Sequence, residues 1–133
     1  MSIGKALKYD NNKPNLALIP KEAMWHMGQA LAYGASKYGA DNFKEGMQIR
    51  RSLAAALRHI YQFLDGENID AESGCNHLGN AMASLAMACY TLENRPEFDD
   101  RYVKPKPAST FPSNAESGID LNDIVRDNYD ESK

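Results

Sequence analysis

The residues most suited to chemistry lie in and around a short acidic segment. Four acidic side chains fall within eight residues, and one histidine lies on either side of them. Carboxylates this close together repel one another unless a cation lies between them, and imidazole nitrogens favour Mn²⁺, Co²⁺ or Zn²⁺ over Mg²⁺. Residue type and spacing therefore predict a divalent metal site. The candidate ligands are Asp65, Glu67, Asp70, Glu72, His59 and His77.

The same acidic segment has a purely structural alternative. Acidic side chains such as Asp70 and Glu72 are common near helix N-termini, where they stabilise the helix dipole. A histidine at the edge of a core usually only donates a hydrogen bond to a carbonyl. The pattern of charges alone leaves both interpretations open.

Basic residues outside the acidic segment are candidates for binding phosphate groups. The segment from Tyr33 to Gly39 alternates aromatic residues and glycines around Lys37. Phosphate requires cations or backbone N–H groups, and a nucleobase requires a flat apolar surface. A helix C-terminus, with Gly39 as its stop and Lys37 near the dipole, is the structural alternative. The candidate phosphate ligands are Lys8, Lys13, Lys37 and Arg58.

Three helical patterns must position these groups. Apolar residues recur with a period near 3.6 from about Lys21 to Lys37, from about Gln48 to Leu64, and from about Ser73 to Asn94. Ser73 or Asp70 is the candidate cap of the third helix. β-Branched residues are few before residue 100, and no alternating segment predicts a strand, so the class is all-α.

The charge distribution divides the 133 residues into a body, 1–96, with a net charge of +1, and a tail, 97–133, with a net charge of −4. The tail is rich in Pro, Ser and Asp, which predicts an extended segment, with residues 119–125 as a possible docking turn. A net charge of −3 argues against nucleic-acid binding, and no apolar run is long enough to cross a membrane. Two cysteines and the lack of an apolar leader predict a cytoplasmic protein, in the host cytoplasm if a phage encodes it.

The third helix carries many small residues, which permit close approach of neighbouring helices. Three helices of this length form a poor closed core by themselves. We therefore expect three main helices and an N-terminal arm to form a bundle that is completed by homo-oligomerisation, as a dimer or tetramer.

The motifs, in chain order, resemble one family. They are Lys8-x-Asp10-x-x-Lys13-Pro14, Tyr33-Gly34-Ala35-x-Lys37-Tyr38-Gly39-x-x-Asn42-Phe43, Arg58-His59, and Gly66-Glu67-x-x-Asp70-x-Glu72-Ser73-Gly74-x-x-His77-Leu78. Over about residues 8–93 the chain resembles the N-terminal domain of phage dATP/dGTP diphosphohydrolases. That family is similar to the all-α, MazG-like nucleotide pyrophosphohydrolases.

The resemblance implies a helical, oligomeric enzyme that depends on a divalent metal (Mg²⁺, Mn²⁺ or Co²⁺). It would convert a purine dNTP, dGTP or dATP, to the dNMP and pyrophosphate. The implied metal ligands are Glu67, Asp70, Glu72 and His77, and the implied catalytic residues are Glu67, Asp70 and His59. The implied substrate-binding residues are Lys8, Lys13, Lys37, Tyr38, Asn42 and Arg58. The chain has Asn80 where the resemblance implies a second histidine.

Two other functions compete with this one. A helical phosphohydrolase of the HD class requires an adjacent His-Asp pair, but the three histidines precede Met27, Ile60 and Leu78. A non-catalytic helical module that binds a nucleotide or a protein partner remains as the alternative. Release of pyrophosphate that depends on metal would distinguish the enzyme from the module.

Overall fold

The computed structural model describes residues 5–103 and 105, and three α-helices make up most of this range. They are α1 (Lys21–Tyr38), α2 (Ile49–Leu64) and α3 (His77–Asn94). Short 3₁₀ turns lie at Leu16–Leu18, Asn42–Glu45 and Pro96–Phe98. Within the described residues there is no strand, and one isolated antiparallel bridge pairs Ile69 with Asn76. The predicted all-α class with three main helices is confirmed.

The limits of α1 and α2 lie within one residue of those predicted. Pro20 precedes α1 with an extended backbone, and Gly39 ends it at a φ of 95°, a value that glycine adopts without strain. The N–H of Gly39 donates to the carbonyl of Ala35 at 2.8 Å. The N-terminus of α2 is capped by a residue that is distant in the sequence, since the Asp100 carboxylate accepts a hydrogen bond from the backbone N–H of Arg50 at 2.9 Å.

The predicted start of α3 is wrong, as is its predicted cap. The helix begins at His77, and Asn76 caps it by accepting from the backbone N–H of Leu78 at 2.8 Å. Gly74 has a φ of 71°, a left-handed conformation that cannot belong to a right-handed helix. Ser73 and Asp70, the predicted caps, instead form a turn within the loop before α3.

Helix α3 is the centre of the bundle and packs against both α1 and α2. Its buried face consists largely of small residues, so the neighbouring helices lie close to it. At Gly79 there is no room for a side chain, because an added Cβ would meet the backbone carbonyl of His26 on α1. The buried residues of α3 are His77, Gly79, Ala81, Ala83, Ser84, Ala88 and Thr91.

The large apolar residues of the predicted stripes lie mostly on the other side of these helices. Leu64 is 71% exposed, and Leu85 and Leu92 are 42% and 44% exposed. On a helix that advances about 100° per residue, Leu78, Leu85 and Leu92 share one face. That face lies opposite Ala83 and Met87. Within the described residues these leucines therefore lie on the surface and not in the core.

The helices belong to one compact unit, which ends at Arg101. The turn Pro96–Phe98 packs against α3, and the Phe98 ring lies against Gly46. The division into a body, 1–96, and a tail, 97–133, stays a prediction. Residues 106–133, with the predicted docking segment 119–125, lie outside the described residues.

Candidate active site

The loop between α2 and α3 holds the acidic segment in a defined shape. The backbone N–H of Asp70 donates to the carbonyl of Cys75 at 2.8 Å, and that of His77 donates to the carbonyl of Asn68 at 2.9 Å. These two bonds flank the bridge between Ile69 and Asn76. The loop is therefore a closed hairpin-like turn, which places Asp70 next to the first turn of α3.

Asp70 is the most strongly supported acid of this loop. Its Oδ2 accepts from the hydroxyl of Ser73 at 2.8 Å, from the backbone N–H of Ser73 at 3.1 Å and from the Asn80 amide at 3.4 Å. Burial is the largest single effect and raises the pKa of Asp70, but the hydrogen bonds from Ser73 and Glu72 and the nearby His59 together outweigh it, so the pKa lies below its ordinary value. Asp70 is therefore an anion held in one orientation.

His77 is completely buried between two other candidate residues. Its Nε2 lies 2.8 Å from Oε1 of Glu67, and its Nδ1 lies 2.9 Å from Nδ1 of His59. A carboxylate only accepts hydrogen bonds, so Nε2 of His77 is the donor to Glu67. In a neutral His77 ring, Nδ1 then accepts the proton of His59 Nδ1, and this leaves the Nε2 of His59 with a lone pair.

His59 is only partly buried, but its environment favours the neutral ring. Burial is the largest cause that lowers the pKa of His59 below its ordinary value. The nearby His77 and Arg58 act in the same direction. The carboxylates of Asp70 and Glu72 oppose them with a smaller effect. His59 is thus available as a proton acceptor near neutral pH.

Glu67, Asp70 and His77 form a group suited to a metal ion. One potential ligand atom from each lies within 4.8 Å of those of the other two. Two carboxylates and one imidazole are the donors that Mn²⁺ and Co²⁺ accept readily, and Mg²⁺ prefers oxygen alone. The His77 ring is fully buried and meets the acidic loop through Glu67.

Glu72, the fourth predicted ligand, lies outside this group. Its Oε1 is 3.2 Å from Nζ of Lys37 on α1, so the pair joins the loop to the first helix. A hydrogen bond with Tyr38 and then the pair with Glu72 raise the pKa of Lys37 above its ordinary value. Lys37 is therefore a permanent cation beside the acidic loop.

A polar cavity of about 730 Å³ adjoins the three-residue group. Helices α1 and α2 form its walls, and small residues of α3, such as Ala83 and Ser84, form its floor. The groups facing it carry both signs of charge. They include Lys37, Arg58, His59, Asp70 and Glu72, whereas Glu67 and His77 lie behind this lining.

A second cavity of about 620 Å³ continues along α1 and is mostly apolar. It shares five lining residues with the polar cavity, so the two are neighbouring parts of one groove. The shared residues are Ala30, Gly34, Tyr38, Ala83 and Met87. Asn42 lines the apolar part only.

The predicted substrate-binding residues other than Asn42 divide into two groups. One group lines the polar cavity and consists of Lys37, Tyr38 and Arg58. Lys8 and Lys13 lie on the exposed N-terminal arm and line neither of these two cavities, so their role stays a prediction. Trp25 is 68% exposed and lines neither cavity.

Sequence reasoning missed the residues that support the acidic loop. Asn80 bonds both Ser73 and Asp70, and it was noted only as a departure from the expected histidine. Its position, one turn after the start of α3, was the available signal, since that turn faces the preceding loop. Arg51 and Met87, which line the apolar cavity, carried no signal beyond an ordinary helical pattern.

Comparisons with known proteins identify the family to which the chain belongs. In the part of the chain that the structure describes, no helix has the length and apolar character to cross a membrane. No solved structure matches the chain significantly. The chain is 30% identical over 135 residues to a dATP/dGTP diphosphohydrolase of Salmonella phage PMBT28, an alignment that covers 96% of this chain and 46% of the phage protein. The chain thus spans about half the length of this curated relative.

A family model described as dATP/dGTP diphosphohydrolase, N-terminal, matches residues 4–101. That range contains all three helices, the acidic loop and every residue of the two cavities. The chain therefore belongs to the family of dATP/dGTP diphosphohydrolase N-terminal domains.

Proposed function

We propose that this chain is a metal-dependent pyrophosphohydrolase that converts a purine deoxynucleoside triphosphate, dGTP or dATP, to the monophosphate and pyrophosphate. One observation carries the proposal: two carboxylates and a buried histidine meet directly beside a cavity that holds Lys37 and Arg58. A polyphosphate binds both to a metal ion and to cations, and this groove offers a place for each. The substrate named for the phage relative supports the choice of nucleotide.

Glu67, Asp70 and His77 would hold the divalent ion, which is Mg²⁺, Mn²⁺ or Co²⁺. Such an ion, when bound, neutralises phosphate charge and acidifies water. The carboxylates fit, because Asp70 is held as an anion. In the arrangement described above both ring nitrogens of His77 are engaged, by Glu67 and by His59, so His77 becomes a ligand only when one of these two hydrogen bonds opens. Glu72 joins this set only if its pair with Lys37 opens.

The remaining charged groups act on the substrate directly. Lys37 and Arg58 bind phosphate oxygens and stabilise the negative charge that develops on the leaving pyrophosphate. As long as His77 donates from Nε2 to Glu67, the Nδ1 proton of His59 is engaged by His77, and His59 accepts a proton at Nε2 from a water molecule in the cavity. Water adds across one phosphoanhydride bond, and the products are the dNMP and pyrophosphate.

The large apolar residues exposed on α2 and α3 support a homo-oligomer, a dimer or tetramer. Leu78, Leu85 and Leu92 repeat every seven residues, and Leu57 and Leu64 do so on α2. This spacing is that of a seam between packed helices. By helical periodicity the seam faces away from the groove, so a second copy can cover it without closing the cavities.

The test compares the release of pyrophosphate from each dNTP and NTP with Mg²⁺, Mn²⁺ or Co²⁺. Glu67→Gln and Asp70→Asn should abolish turnover and weaken Mn²⁺ binding, measured by electron paramagnetic resonance, while the helical circular dichroism persists. Asp65→Asn is the matched control, since it removes an acid from the same loop but outside the group. If turnover survives both substitutions, the group of Glu67, Asp70 and His77 does not take part in the reaction. Nucleotide binding without any turnover would support the non-catalytic module instead.

A further inference from the structure

The apolar cavity has no role in the chemistry proposed above. Its volume of about 620 Å³ lies in the range of small-molecule sites. Aromatic and thioether side chains, those of Tyr38, Phe43 and Met87, face it. The Phe43 ring is fixed from behind by an edge-to-face contact with Tyr90, at 5.3 Å between centroids. The cavity is therefore a preformed apolar space with flat walls.

Two polar side chains, those of Asn42 and Arg51, belong to this apolar space and not to the polar cavity. Asn42 begins the 3₁₀ turn after α1, and Arg51 lies in the first turn of α2. Within residues 5–103 and 105 the Arg51 guanidinium makes no ion pair or hydrogen bond with another side chain. A planar donor group and an amide thus border an otherwise apolar cavity. Arg51 also lines a third cavity, with Glu97, Asp99 and Asp100, but it forms no ion pair with these carboxylates.

We propose that this cavity holds the purine base of the substrate and that Arg51 and Asn42 recognise its edge; this rests on the proposed function. Because the two cavities share Tyr38 and Met87, one nucleotide can span both, with phosphates near Lys37 and its base in the apolar part. A base between apolar walls is desolvated, and Tyr38 and Phe43 provide surfaces on which it stacks.

The chemistry of the two polar groups matches both purines. An arginine fork donates two hydrogen bonds to O6 and N7 of guanine, and an asparagine amide pairs with N6 and N7 of adenine. A pyrimidine has no N7, so neither arrangement is available to it. Arg51 should therefore contribute most to guanine and Asn42 most to adenine.

The experiment measures the affinity of non-hydrolysable α,β-methylene dGTP and dATP by calorimetry, so that binding is tested without turnover. Arg51→Met should weaken dGTP-analogue binding by about tenfold or more and dATP-analogue binding much less. Arg51→Lys keeps the charge but loses the fork, and it should behave like Arg51→Met for guanine. Arg50→Met is the matched control, because its side chain lines neither cavity.

The outcomes separate this inference from the proposed function. Equal losses for the two analogues, full retention by Arg51→Lys, or the same effect from Arg50→Met would each overturn base recognition by Arg51, even if the wild-type chain releases pyrophosphate. Selective loss of guanine binding in a chain that releases no pyrophosphate would support the base site and refute the proposed reaction. If neither analogue binds the wild-type chain, both the base site and the proposed function are refuted.

Discussion

Gly79 lies where α3 passes closest to α1, and alanine at this position tests the packing that sets the wall of the groove. An added Cβ would lie 2.7 Å from the carbonyl carbon of His26, nearer still to its oxygen, and 3.0 Å from the His26 Cβ. Real Cβ atoms do not approach backbone atoms so closely. Helix α1 would have to shift outward, because a backbone carbonyl cannot rotate away as a flexible side chain can.

Two effects of opposite sign determine the result for Gly79→Ala. Alanine in place of glycine within a helix stabilises it by up to about 1 kcal/mol. Overpacking a tight contact costs about 1–3 kcal/mol, and the backbone obstruction places this site at the upper end. We therefore expect the free energy of unfolding to fall by about 1–2 kcal/mol.

Gly28→Ala is the matched control, since Gly28 lies within α1 and a Cβ there would meet nothing within 4 Å. It should raise the free energy of unfolding by about 0.5–1 kcal/mol. Urea denaturation followed by circular dichroism, at one protein concentration for all variants, measures both changes. A Gly79→Ala chain as stable as Gly28→Ala would refute the close contact of α1 with α3.

Two further predictions concern titration and assembly. In the metal-free protein, burial should make His59 titrate below pH 6.5, as followed by the NMR signals of its ring. Because the unfolded chain takes up this proton at a higher pH than the folded chain, the His59 contribution to stability is complete above pH 6.5 and is lost as the pH falls through the lower folded pKa. His59→Gln should remove this pH dependence of stability. A titration midpoint of His59 above pH 6.5 would contradict the reasoning. Leu85→Glu should lower the oligomeric state measured by light scattering, because it places a charge in the exposed seam. Leu18→Glu, at a residue 79% exposed and outside α2 and α3, should leave the mass unchanged, and an unaltered mass in both variants would exclude this seam as the interface.

Helix α3 shows which features of a helix can be predicted from local sequence patterns and which cannot. Its apolar spacing and its end at Asn94 were readable from the sequence, but its start was not. The predicted caps, Ser73 and Asp70, have the right chemistry for a helix N-terminus. Their hydrogen bonds with one another, and the left-handed backbone of Gly74, use them in a loop instead. Several candidate caps within a few residues are equivalent locally, and the tertiary contacts of the loop decide among them.

The sequence by itself determined the helical class, the ends of α1 and α2, and the set of residues that resemble the N-terminal domain of dATP/dGTP diphosphohydrolases. Helical periodicity, the glycines that end helices and the spacing of charges are local properties, so they can be recognised in a single sequence. Tertiary structure alone decided that His77 is buried against Glu67 and His59, and that Glu72 pairs with Lys37. It also decided that α3 presents its small residues to the groove and its leucines to the outside. These outcomes depend on how the three helices cross, because the crossing brings together residues that are far apart in the sequence. No local pattern specifies that geometry.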